Sequence, residues 1–207
     1  MNKTLNTLFG TMLLAGSASA FAASSVDLTV TGLITPSACT PTLANGGVVD
    51  YGKISAKDLN VDQSTIIAKQ NVQLNVTCDA ATLMALETKD NREGSNPYPS
   101  VRTFGLGLIN GNEKLGRMAL YFDDAIADGT QVRPIISRDG GTSWTGMVTL
   151  QKDGITSVAE LNTVVPLPFQ VLTANIQVAP EIAPTKDLTL TNEVSIDGSV
   201  TLTVRYL

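Results

Sequence analysis

Apolar and polar residues take turns along much of this chain, and that period of two is what most limits its fold. In VQLNVTC, Val72, Leu74, Val76 and Cys78 alternate with Gln73, Asn75 and Thr77. Near the end Val200, Leu202, Val204 and Tyr206 alternate with Thr201, Thr203 and Arg205. Near the start Val26, Leu28, Val30, Gly32 and Ile34 alternate with Asp27, Thr29, Thr31 and, less cleanly, Leu33. Successive side chains on a strand point to opposite faces, so each run offers one face to a core and one to water. Turn signals separate the runs: Asn45-Gly46-Gly47, 90–99, Asn110-Gly111-Asn112, Asp128-Gly129, Asp139-Gly140-Gly141, Asp153-Gly154 and Asp197-Gly198. Their spacing predicts a single all-β domain, an antiparallel β-sandwich. Only 55–67 and 124–128 leave room for a helical turn, and EGSNPYPS (93–100) reads as the most flexible loop.

The first residues carry an address, not a fold. Lys3 gives a short positive region, Leu8 to Gly16 an apolar run too brief to span a bilayer. Two small-residue cleavage sites follow, Ala18-Ser19-Ala20 and Ala20-Phe21-Ala22. Residues 1–22 therefore read as a secretory signal peptide and 23–207 as one domain, exported to the periplasm or onward to the cell surface. About 185 residues suffice for a substantial core. No later segment is long and apolar enough for a membrane helix. In an oxidising compartment the two cysteines, Cys39 and Cys78, are most economically one disulfide, with two free thiols as the alternative.

Composition narrows the function. The charge is −5 with no basic stripe, which argues against nucleic acid. With no histidine, the commonest general base and metal ligand is missing, and no metal or cofactor is expected. The stretch SRDGGTSW offers Ser137, Asp139, Gly141 and Trp144, a pattern that resembles the Asp-box of sialidase propeller blades. In that motif Ser and Asp accept backbone N–H groups, glycines allow positive φ, and Trp packs under a hairpin. One box and six arginines do not make a sialidase, so the expectation is a structural hairpin, with an exposed glycan-contacting loop as the alternative. Asp123, Asp124 and Asp128 lack calcium-loop spacing and read as an acidic turn; KDNRE (89–93) reads as a solvated turn. No paired carboxylates and no serine–base arrangement can be nominated, so no small-molecule substrate is identified and the chain is expected not to be an enzyme.

Both ends of the mature chain resemble a chaperone–usher pilin. VTGLITPSAC (30–39), VVDYGKI (48–54), VQLNVTC (72–78), TVVPLPFQV (163–171) and SVTLTVRYL (199–207) fall in pilin order. More closely, TPSACTP, VVDYGK, LNVTC, KDNR, FGLG, NGNEKLG and DGSVTLTVRYL resemble an uncharacterised proteobacterial family of fimbrial-like periplasmic proteins, one branch of which is encoded beside glutamate synthase genes. The resemblance implies an immunoglobulin-like (pilin-type) sandwich that lacks its last strand and leaves a hydrophobic groove open. A periplasmic chaperone pairs there first, and at the usher the N-terminal extension of a like subunit replaces it by β-strand addition. Carried onto this chain, the donor positions are Val26, Leu28, Val30, Gly32 and Ile34, and the acceptor positions Val200, Leu202, Val204 and Tyr206. The enlarged middle, 87–160, could instead cover the groove and leave a monomeric periplasmic accessory or binding protein, linked to nitrogen metabolism by gene company alone.

Overall fold

The computed structural model describes residues 28–32 and 38–207. The expected signal segment 1–22 and the expected donor positions Val26 and Ile34 lie outside them. The chain divides into two units, 1–34 and 35–207. In the first, residues 28–32 belong to no strand, and Leu28 and Val30 are 89% and 87% exposed.

The second unit is all-β. Its strands are β1 (Cys39–Leu43), β2 (Thr65–Ile66), β3 (Gln70–Thr82), β4 (Met84–Asp90), β5 (Phe104–Gly105), β6 (Leu108–Ile109), β7 (Glu113–Lys114), β8 (Gly116–Ala127), β9 (Thr130–Ser137), β10 (Thr145–Gly146), β11 (Ile155–Glu160), β12 (Phe169–Ile182) and β13 (Val200–Tyr206). One layer runs β1-β3-β12-β8 and the other β9-β11-β4-β13, every pair antiparallel. The predicted alternation holds on β3, where Val72, Leu74, Val76 and Cys78 are buried. These residues join Leu120, Phe122, Leu172 and Ile176 from their own layer and Met84, Leu86, Val132 and Val158 from the other in one core. The two inner faces therefore pack as a sandwich. Cys39 and Cys78 sit opposite each other on β1 and β3 and form the disulfide.

One long side of the sandwich is sealed. Asp128 and Gly129, both at positive φ, make a two-residue hairpin turn that carries the chain from β8 to β9. Residues 148–150 bond to β8 as well, Phe122 N–H donating to Val148 O and Leu150 N–H to Leu120 O. The enlarged middle thus supplies β8 and β9, remote from β1 and β13, and also reaches the segment before β13, where Leu106 O accepts from Asp197 N–H and Asn110 Nδ2 donates to Thr189 O.

Three local expectations are corrected. Residues 124–128 are not helical: one extra residue on β8 makes a bulge against Thr173 and Asn175, with Asp124 at positive φ. A single 3-10 turn, Ala56–Asp58, occupies the other candidate stretch, which then enters β2. The loop at 93–100 is packed, with Ser95 and Asn96 both buried. Ser95 Oγ donates to Arg92 O and accepts from Gly107 N–H, and Asn96 Nδ2 donates to Thr103 Oγ1. Nor is KDNRE wholly solvated, because Asp90 is buried and accepts N–H bonds from Arg92 and Gly105.

Candidate functional site

The side opposite that sealed edge is the site. β13 pairs with β4 in unbroken register, from Val200 against Asp90 to Tyr206 against Met84. Among the described residues its other edge carries no ladder, and β1 pairs only with β3. The two edges run in opposite directions on this side of the sandwich. At one end Cys39 lies beside Tyr206; at the other 49–54 faces 192–196. There a cleft of about 790 Å³ opens above a floor that includes Leu59, Leu115, Ile182 and Leu190.

Its lining mixes apolar residues with Asp50, Lys53, Asn192, Glu193 and Ser195, while the strands beside it present partly covered apolar residues. Val200, Leu202 and Val204 are half-buried, as are Leu43, Val49 and Val194 across from or beside them, and all pack against the core. Alternation on β13 points Thr201, Thr203 and Arg205 to water instead. A strand with one apolar face beside an unfilled cleft and one unpaired edge can accept another strand. Burying three or four aliphatic side chains there would contribute an upper limit of roughly 5–10 kcal/mol.

Polar ties hold the walls at both ends. Cys39 N–H donates to Tyr206 Oη at 3.0 Å, so the last acceptor position bridges the two edges rather than lining the cleft floor. At the wide end Lys53 pairs with Glu193 across the mouth, both side chains more than four-fifths exposed. Tyr51 Oη donates to Val178 O, and burial raises its pKa. Arg92 grips Asp197 through two hydrogen bonds, fixing the turn into β13 and holding that carboxyl below its ordinary range. Glu113 accepts from Thr189 N–H and Asn110 Nδ2, fixes the preceding loop and is likewise lowered. Sequence reasoning missed these ties because each joins residues far apart in the chain.

The predicted hairpin at 137–144 forms as a turn. Ser137 Oγ accepts from Gly141 N–H and donates to Asp139, whose carboxylate also accepts from Thr142 and Ser143 N–H. With the Ser143 hydroxyl donating as well, Asp139 is held far below the ordinary carboxylate range. Trp144 is half-buried, and its indole N–H is spent on Gly141 O. It borders a shallow, mainly apolar depression with Leu83, Thr142, Val164, Val165 and Leu207. Among the described residues no cluster of three or more metal-ligating side chains occurs, and no helix is long and apolar enough to cross a membrane.

A family model described as a protein of unknown function (DUF1120) matches residues 28–101. That stretch holds the disulfide, β1, β3, β4 and the 49–59 wall of the cleft, but not β13. Over 91% of its length the chain is 28% identical to Protein GltF of Escherichia coli (strain K12), covering 92% of that protein. It is 27% identical to Uncharacterized protein YhcF of the same strain, over 95% of this chain and 98% of that protein.

Proposed function

We propose that the protein is a non-enzymatic, exported structural or interaction protein of the chaperone–usher type that joins its partners by β-strand addition along β13. The observation that carries this reading is the free edge of β13 beside a half-covered apolar cleft. Backbone groups of that edge supply the ladder, and Val200, Leu202 and Val204 supply the apolar contacts. A periplasmic chaperone is the first occupant, and the segment spanning Val26 to Ile34 of a like subunit the second. The disulfide suits an oxidising compartment such as the periplasm.

The test uses the mature chain, 23–207, with and without a co-expressed periplasmic chaperone, and a synthetic peptide of residues 23–35. The reading expects chaperone co-purification, peptide capture and self-association that disappears when 23–31 are removed. Self-association and partner capture unchanged by that deletion would sink it. A monomeric periplasmic accessory role is favoured by the ties at both ends of the cleft, which hold its walls together without a partner. It expects a monomer at every concentration.

A further inference from the structure

We propose that Lys53 sets the register of the incoming strand by pairing with Asp27 of a second copy, displacing Glu193. The inference rests on the strand-addition reading and names the donor's alignment. The wide end of the cleft has an apolar floor and a charged rim of Asp50, Lys53 and Glu193, and Lys53 is the one cation among its lining residues. Its bond to Glu193 joins side chains 88% and 84% exposed, so it is weak and exchangeable.

Between residues 23 and 34 the chain carries a single charged side chain, Asp27, set between Val26 and Leu28. On an added strand Val26 and Leu28 would face the floor while Asp27 pointed outward, to the rim where Lys53 lies. A slip of one residue would turn Asp27 into the apolar floor, which is strongly disfavoured. A slip of two would set Ser25 or Thr29 against Lys53, with no charge to offer. With the added strand parallel to β13, so that residue 27 lies at the wide end and 28–34 follow β13, one alignment satisfies both the floor and the rim. Glu193, once released, is already in water.

The test titrates the mature chain with fluorescently labelled peptide 23–35. Asp27→Lys in the peptide, or Lys53→Glu in the protein, should each weaken capture by about 2- to 5-fold, the range of an exposed ion pair. Combining the two should restore it, and the differences should fade in 1 M salt. Glu193→Gln should tighten capture by freeing Lys53. Thermal unfolding checks that each variant is folded, which their exposure favours. If the wild-type peptide binds but the two losses multiply in the combined swap, or Glu193→Gln changes nothing, the register is wrong while strand addition stands. Should the wild-type peptide fail to bind at all, the strand-addition reading falls and the register with it.

Discussion

Replacing Leu202 by alanine separates an open cleft from an ordinary core. The change removes three side-chain carbons, worth about 2.4 kcal/mol at ~0.8 per buried group when burial is complete. Leu202 is only partly exposed on β13, about a third at most, so at least ~1.5 kcal/mol of this belongs to folding. The remainder appears only when a strand covers it: up to ~0.8 kcal/mol, or roughly 4-fold in Kd. Leu74 on β3 is 0% exposed in the same cluster, and its loss leaves a closed cavity costing ~2.7–5 kcal/mol. Urea midpoints of the two variants, beside titration with peptide 23–35, read both quantities. Leu202→Ala should lower stability less than Leu74→Ala and weaken peptide capture severalfold. A Leu202→Ala chain as destabilised as Leu74→Ala, with capture unchanged, would mean the cleft is already filled, and the reasoning would fail.

Three further outcomes are expected. Replacing both cysteines by serine reopens a loop of 39 residues and should cost about 4 kcal/mol, seen as a Tm lower by roughly 8–16 °C. Acid should destabilise the fold: Asp139, Glu113 and Asp197 are held below their ordinary pKa by hydrogen bonds in the folded chain. The unfolded chain then binds more protons, so their contribution is complete above about pH 4–5 and is lost as pH falls below it. Urea midpoints measured across that range should drop, and should drop less in Asp139→Asn. Tyr206→Phe keeps the ring but removes the acceptor for Cys39 N–H; hydrogen exchange at that amide should quicken, with a stability loss of about 1 kcal/mol.

Sequence and structure divide along a physical line. Whatever depends on neighbours in the chain was legible in it. The alternation of Val72 to Cys78 and of Val200 to Val204 fixed strands and faces because strand geometry repeats every two residues. SRDGGTSW announced its turn because Ser137 and Asp139 bond backbone groups only two to four residues ahead. Local reading failed where distant chain intervened. Asp90 and Ser95 look like polar turn residues, yet Gly105 and Gly107 bring backbone N–H groups that make their burial tolerable. The acidic run at 123–128 became a bulged strand because β12 lies beside it.

The cleft belongs wholly to the tertiary structure. Alternation alone cannot tell an edge strand from a central one, since both bury one face. That β1 and β13 end as opposing edges, with Tyr206 tying one end and Lys53 with Glu193 the other, follows from how the layers stack. The chain wrote each strand; only the order in which those strands pair decided which backbone edge was left unpaired.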